Sequence, residues 1–446
     1  MNAVLREARA TLVLAVPIII GQLSQVLMSV TDSVMIGRTG TVPLAASSFG
    51  LSIFNLMFIN GVGLLVPVSV FASRSRGAGR HDEAGEYMRH GLFIALVASA
   101  LEIALILLLS RHMAVFRQPP EVLAVVNPFL TLIGISLVPA LAYLALRQFA
   151  ESMGRPWVST VIVLCSALLN VLLNWIFIYG HLGVPSLGIT GSGISTLLSR
   201  TLGSLVIYLW LRRDPVMRAA WPPHWFAPLS WERMGRMLDV GLPAAGGLLF
   251  ESGTFAAITV MMGWLGAVAL AAQQIALSCA ALTFMVALGI AMSVGMRTSE
   301  AVGAGEFARV RTIWLGGAGM GASVAVVLTV VFLTFGRAIA AWFVDDPLVI
   351  STAALLLVVA GIFQIFDGNQ VINSSALRGI TDVKVPALIT LFAYWGAAVP
   401  LAYMVGIRWG FGPAGIWSGL AVGLAVASIC LGIRLLRLTR AQARPS

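Results

Sequence analysis

A chain of 446 residues that is 59% hydrophobic and only 10% charged departs from an average soluble domain, at roughly 45–50% and 25%, in the direction of a polytopic membrane protein. Apolar runs of about twenty residues recur from end to end, which leaves no stretch for a water-soluble catalytic domain, and the chain is not expected to be an enzyme. A net charge of +10 would suit nucleic acid if the basic residues clustered, but they sit in short loops between apolar runs, so no nucleic-acid partner is expected.

The runs predict an all-α polytopic membrane protein with twelve transmembrane helices, at about 12–36, 44–72, 90–110, 124–149, 157–180, 189–211, 237–262, 265–296, 312–334, 349–377, 385–407 and 410–436. The first run is longer than a signal-peptide core and is read as a retained helix. Within it, Gly21, Gln25, Met28 and Asp32 share one narrow arc at about 100° per residue. The stretch around Arg74 to Arg89, SRSRGAGRHDEAGEYMR, mixes both signs of charge and reads as a solvated loop. Glu102 lies in helix 3 among leucines and alanines and reads as structural or protonated. Helix 5 carries Asn170 and Asn174 one turn apart, and helix 6 brings Thr196 in a Gly/Ser-rich start, GSGIST, with Arg200 inside the same helix.

Arg212 to Arg236, rich in Trp and Pro, falls near the middle of the chain and reads as a linker, giving three segments: 1–211, 212–236 and 237–446. Helix 7 holds Glu251 near the middle of its apolar run, an expensive position for a carboxylate unless it faces protein or a water path. Pro17, Pro243, Gly246, Gly247, Gly361 and Gly368 interrupt helices that also hold acids, as packing sites or bending points. Helix 10 places Phe363, Asp367, Gln370 and Ser374 on one stripe flanked by Gln364, Asn369 and Asn373, a face too polar for lipid. Cys165, Cys279 and Cys430 fall inside apolar runs without metal-binding spacing and read as core residues. Of the five histidines, each lies in or beside a loop and none has the spacing of a metal site.

With both termini placed in the cytoplasm, 22 of the 28 Lys and Arg, Arg444 among them, fall on that side. Five, including Arg117, fall on the other, and Arg200 stays within helix 6. This asymmetry orients the chain. A single fixed offset also superposes helices 1 and 2 on helices 7 and 8 without gaps: Pro17 on Pro243, Gly63 on Gly289, and Gly77-Ala78-Gly79 on Gly303-Ala304-Gly305. Six helices per half return the chain to its starting side, so the halves are expected to be parallel repeats with a substrate cavity between them. Under the same offset Gln25 meets Glu251, an amide in one half and an acid in the other. Carboxylates with amides and hydroxyls suit a hard cation such as Na⁺, and a protonatable carboxylate suits a proton equally.

Six segments together resemble a known family: VPIIIGQLSQVLMSVTDSVMIG, LALRQFAESMGRP, the pair NVLLNWIFIYG and GITGSGISTLLSR, GLPAAGGLLFESGTF, and FDGNQVINSSALRG. They are similar to the multidrug and toxic compound extrusion family in its NorM-like branch, over essentially the whole chain. The resemblance implies two six-helix bundles in a V-shaped arrangement, and export of organic cations and other drugs by antiport with Na⁺ or H⁺. It implies a cation site in the C-terminal bundle at Glu251 and Asp367, with Gln370 beside them; Na⁺ is the metal considered there. A second site in the N-terminal bundle is implied at Asp32, Asn170, Asn174 and Thr196. The branch often has Tyr where this chain has Phe363, which removes a hydroxyl ligand. Other branches carry Asp at the Asn174 position, so this chain has one acid fewer there.

The expected function is therefore cation-coupled multidrug efflux, with Gln25, Met28, Phe363 and Ser374 lining the substrate cavity. No resident cofactor is expected beyond the coupling Na⁺ or H⁺. The chain is expected to act as a monomer in the plasma membrane, the inner membrane if the source is Gram-negative, with small organic cations and the bilayer as partners. A flippase for lipid-linked precursors would want a basic cavity, and a cation channel would want a continuous polar pore.

Overall fold

The computed structural model describes residues 2–112, 119–222 and 224–442; Arg117 and Arg444 lie outside them. Among the described residues there is no strand, and twelve helices are long and apolar enough to cross a membrane. In chain order they are α1 (Ala3–Gly37), α2 (Thr41–Gly77), α3 (His81–Arg111), α4 (Glu121–Ser152), α5 (Pro156–Tyr179), α6 (Gly188–Arg213), α7 (Trp231–Trp264), α8 (Ala267–Gly303), α9 (Phe307–Ala341), α10 (Pro347–Gly379), α11 (Lys384–Arg408) and α12 (Gly412–Arg440).

Helix number follows from hydropathy, but the helices outrun their apolar stretches. The charged segment from Arg74 to Arg89 is not a loop. The helix α2 continues to Gly77 and α3 begins at His81, so the turn is only Ala78-Gly79-Arg80. Hydropathy ends a span at its first charge, whereas Ser, Arg and Glu are tolerated in a helix that protrudes into water. What stops α2 is Gly79 at φ 72, in the left-handed region where glycine is favoured. Its repeat counterpart Gly305 has φ 76.

Two helices depart from regular α geometry. The α4 helix breaks at Ser136, where Pro139 has no N–H to offer the Ile135 carbonyl. In α11, two π-helical turns, Phe392–Ala398 and Tyr403–Arg408, flank Val399–Ala402 with Pro400 inside it, consistent with a proline-driven disturbance of the hydrogen-bond ladder.

The chain forms two compact units that part within α1 and α7, not in the 212–236 linker. One is Ile20–Ala245; the other joins Met1–Ile19 to Gly246–Ser446. The two break points are related by the same offset that relates the repeats, and each lies just past the proline of its helix, Pro17 or Pro243. Each unit thus contains the opening turns of a helix whose remainder belongs to the other. A reading that cuts at the linker misses this, because the linker is where the chain is least apolar and the exchange occurs where it is continuously apolar.

Packing reveals the exchange at atomic level. In the Ile20–Ala245 unit, Gly63 of α2 lies against Ala245, and a Cβ on Gly63 would fall 2.6 Å from the Ala245 nitrogen. In the other unit its repeat counterpart, Gly289 of α8, lies against Ile19, with its Cβ position 3.2 Å from the Ile19 nitrogen. Lipid gives helices no hydrophobic reason to associate, so such close backbone approaches over small residues supply dispersion contacts instead.

Polar clamps hold the exchanged ends. In the Met1–Ile19 and Gly246–Ser446 unit, Arg297 pairs with the Glu7 carboxylate and donates to the Thr11 hydroxyl at 2.6 Å, while Arg309 donates to Glu7 Oε1 at 2.9 Å. In the Ile20–Ala245 unit, Arg89 donates to the Ala227 carbonyl at 2.6 Å, and the Ser230 amide donates to His90 Nε2 at 3.0 Å. The cysteines are not core residues: Cys165 and Cys430 are exposed and Cys279 is half-buried. An apolar run in a membrane helix faces lipid as readily as protein, and composition does not distinguish the two.

Candidate functional site

Each unit has a buried cluster of polar side chains that includes the acids its sequence singles out. In the Ile20–Ala245 unit the cluster joins α1, α5 and α6. Asn174 Nδ2 donates to Asp32 Oδ1 at 2.5 Å and to Asn170 Oδ1 at 3.2 Å, and Asn170 Nδ2 donates to Ser199 Oγ at 3.4 Å. Asn170, Asn174 and Ser199 are wholly buried. Buried amides of this kind are stabilising only when partnered, and here each supports the next until the chain ends on the carboxylate.

Asp32 opens on a cavity of about 230 Å³. Gln25 and Met28 line it from α1, and Thr196 and Ser199 from α6, while Asn170 and Asn174 stand behind Asp32 and do not line it. Aromatic rings line it as well: Phe54, Phe58, Phe129 and Tyr143. The residues that spacing and resemblance selected here, Gln25, Met28, Asp32, Asn170, Asn174 and Thr196, are therefore brought together.

The cavity also contains a residue that the charge tally set aside. Arg200 lines it, donates through Nη1 to Ser136 Oγ at 2.7 Å, and places its guanidinium carbon 4.4 Å from the centre of the Phe54 ring. The break in α4 at Ser136 is what presents that hydroxyl. An arginine inside a membrane helix is itself a functional signal.

In the other unit, α10 carries Asp367, 5% exposed, and Gln370, 3% exposed. Asp367 Oδ1, Gln370 Oε1 and Gln364 Oε1 are buried and make no hydrogen bond among the described residues. Gln364 does donate to the Thr283 hydroxyl. A small cavity of about 20 Å³ lies beside Asp367, Gln364, Gly368 and Thr283, room for about one water-sized occupant. Glu251 of α7 is half-buried and interacts electrostatically with Asp367, Tyr394 and Arg378, but it does not line the small cavity.

Tyr394 is the residue this cluster adds to the sequence reading. It comes from the first π-helical turn of α11, is wholly buried, and its hydroxyl makes no hydrogen bond among the described residues. The unit thus contains a buried phenol although position 363 is Phe. No regular helical spacing would have placed it, because the π turn shifts the register by about one residue.

Two further expectations are corrected. Phe363 is 1% exposed and packs edge-on against Trp417, ring centres 5.5 Å apart, and Ser374 is buried. Neither lines the cavity beside Asp367. The stripe on α10 does face inward, but at these two positions it faces packed core. Glu102, read as lacking polar neighbours, accepts a hydrogen bond from Asn60 Nδ2 at 3.0 Å; the partner comes from α2, which the sequence of α3 alone could not reveal.

Among the described residues no group of three or more His, Cys, Asp or Glu side chains is arranged to hold a metal ion. What both clusters offer is oxygen: carboxylates, amide oxygens and hydroxyls, the donor set of hard monovalent cations and equally of protons.

Comparison with known proteins agrees with this architecture. The MatE family profile matches residues 17–176 and again 243–404. The multidrug resistance protein PmpM of Pseudomonas aeruginosa is 34% identical over 444 residues, covering 97% of this chain and 92% of its own. The multidrug resistance protein MdtK of Yersinia pseudotuberculosis is 32% identical over 443 residues, covering 98% and 96%. Among solved structures, the eukaryotic MATE transporter AtDTX14 superposes with a TM-score of 0.89 at 18% identity, covering 99% of each chain. An outward-facing multidrug resistance MATE transporter of the MOP superfamily does so with a TM-score of 0.89 at 21% identity, covering 98% and 97%.

Proposed function

Because the chain belongs to the MatE family, a multi-pass membrane transporter family and not a family of enzymes, we propose that it is a multidrug efflux transporter that exports aromatic organic cations in exchange for Na⁺ or H⁺. The observation that carries this reading is Asp32 at the wall of a cavity among membrane-spanning helices, backed by the Asn174–Asn170 chain. A scaffold has no use for a carboxylate lining a cavity from within a membrane-spanning helix, whereas an exchanger needs a group that an ion can occupy and leave. The names of the relatives support the efflux part: PmpM and MdtK are both called multidrug resistance proteins.

In this reading Na⁺ or H⁺ engages Asp32 in one unit and Asp367 with Glu251 in the other. Thr196 and Ser199 share the cavity wall with Asp32, and Gln364 and Thr283 share the small cavity with Asp367, so an ion reaching either acid has hydroxyl and amide groups at hand to replace water. Exchange follows if ion and drug favour different conformations, since a ligand shifts an equilibrium only by its difference in affinity for the two states. The aromatic wall of Phe54, Phe58, Phe129 and Tyr143 supports planar substrates. The basic residues on one side of the membrane support a plasma-membrane protein with both termini cytoplasmic, and the chain is proposed to act as a monomer.

The test is efflux from proteoliposomes loaded with ethidium, with a Na⁺ gradient, a pH gradient or neither imposed. Ethidium leaving against its own gradient under one of the first two conditions is the expected result. Flux that ignores both gradients would instead fit a channel.

A further inference from the structure

We infer that the 212–236 linker is a docking surface for anionic phospholipid, its free arginines engaging the headgroups while Phe226 and Trp231 seat their rings in the interfacial layer. This goes beyond the transport reading and rests only on the membrane-spanning architecture.

Two sets of contacts fix the depth of the linker. Trp221 and Trp225 fold back on Tyr208 of α6, with ring centres 5.4 and 5.9 Å from it. Tyr208 lies one turn before Arg212 and Arg213, the residues that end that span. From α3, Arg89 donates to the carbonyls of Trp225, Ala227 and Pro228 at 3.2, 2.6 and 3.4 Å. Arg89 is buried and stands where the apolar part of α3 begins. Both anchors are at the ends of apolar runs, so the linker follows the membrane boundary and does not extend into water. That boundary is the layer in which Trp and Tyr concentrate.

What the linker presents at that depth is apolar and basic. The Arg89 guanidinium holds the turn around Phe226 by the carbonyls on either side, yet the Phe226 ring is fully exposed, and so is most of Trp231, the first residue of α7. One exposed ring on a mobile loop would be ordinary, but this turn is fixed by a buried arginine. Arg212, Arg213 and Arg218 are exposed and have no ion pair among the described residues. The acids of the linker are engaged elsewhere. Asp214 accepts from the amides of Val216 and Met217 and faces Arg155 at 3.9 Å, and Glu232 faces Arg236 at 3.8 Å. Apolar rings with surplus positive charge at a membrane boundary complement an anionic headgroup layer. The bilayer is already beside the linker at this depth, whereas a protein partner would have to displace it.

The purified full chain is offered equal amounts of phosphatidylglycerol and phosphatidylcholine, and the lipid it retains is counted by native mass spectrometry. Phosphatidylglycerol should be retained in preference, and Arg212→Gln, Arg213→Gln and Arg218→Gln together should lower that preference by about fivefold or more. Arg111→Gln, Arg337→Gln and Arg408→Gln, at helix ends on the other side, remove the same charge and should leave the preference intact. Equal retention of the two lipids by the unmodified protein, or a preference that survives loss of the linker arginines, would overturn the inference. Depth is read separately in vesicles of phosphatidylcholine and phosphatidylglycerol, from a nitroxide on Phe226→Cys in a chain carrying Cys165→Ala, Cys279→Ala and Cys430→Ala. Oxygen should reach that label more readily than a water-soluble nickel chelate does. A label as open to the chelate as free label in water would overturn the inference and leave the turn to a protein partner. The depth measurement does not use the arginine variants, so it decides if they fail to fold. Neither measurement involves transport, so failure of the efflux reading leaves both standing.

Discussion

Gly63 lies against Ala245 with no space for a side chain between them, a Cβ on Gly63 falling 2.6 Å from the Ala245 nitrogen. The counterpart contact, Gly289 on Ile19, is looser at the backbone, 3.2 Å from Cβ to nitrogen, with its nearest obstacle in the Ile19 side chain. A side chain can rotate away and a backbone cannot. Gly63→Ala should therefore destabilise the protein by about 3 kcal/mol, and Gly289→Ala, which must displace a stiff β-branched side chain, by about 1 kcal/mol. Thermal melting of the detergent-purified variants, followed by size-exclusion fluorescence, checks the order; equal losses would mean that the two contacts are energetically equivalent.

Glu7 supports a second comparison. It is buried and held by Arg297, 8% exposed, and by Arg309, which is much more open to solvent. Removing the acid strands the buried Arg297 guanidinium, so Glu7→Gln is expected to cost about 3 kcal/mol. Arg309→Gln removes only the solvated partner and should cost under about 1 kcal/mol. The same melting measurement separates them.

Tyr394 carries a buried hydroxyl without a hydrogen bond among the described residues. Tyr394→Phe should leave stability unchanged or raise it by up to about 1 kcal/mol, because an unpaired buried polar group is a liability to folding. If the phenol serves the ion, coupling suffers while stability does not: the Na⁺ or pH gradient needed for half-maximal ethidium efflux should rise severalfold. A variant that is less stable, with coupling intact, would make the tyrosine a structural residue.

Asn174 positions Asp32 and stands behind it without lining the cavity. Asn174→Leu removes both hydrogen bonds and leaves Asn170 and Asp32 unpartnered on that side, with a loss of about 2 kcal/mol. Asn174→Asp keeps the size and brings a second acid to Asp32. Gradient-driven efflux in that variant should survive better than in Asn174→Leu, measured as initial rate per folded transporter.

The parts of the molecule legible in the sequence are those that depend on composition and fixed spacing. Twelve spans, the fixed offset between helices 1–2 and helices 7–8, and the grouping of Gln25, Met28 and Asp32 on one arc all follow from composition and spacing. Asn170 and Asn174, one turn apart, could be placed on a face but not joined to Asp32, which lies four helices earlier in the chain. The exchange of helix ends at Ile19 and Ala245 was hidden because continuous apolar helices carry no mark where they change partners. Tyr394 was hidden by a π turn that no helical template includes. Arg200 was visible as an intramembrane charge, yet its meaning depended on a cavity wall built from α1, α2, α4, α5 and α6.

The most direct test of cation-coupled exchange through the membrane carboxylates is ethidium efflux from proteoliposomes under an imposed Na⁺ or pH gradient, comparing the unmodified protein with Asp32→Asn and Asp367→Asn. The account predicts gradient-driven efflux by the unmodified protein and rates near those of empty liposomes for both variants, with folding intact by melting temperature. Unmodified rates in both variants would contradict it.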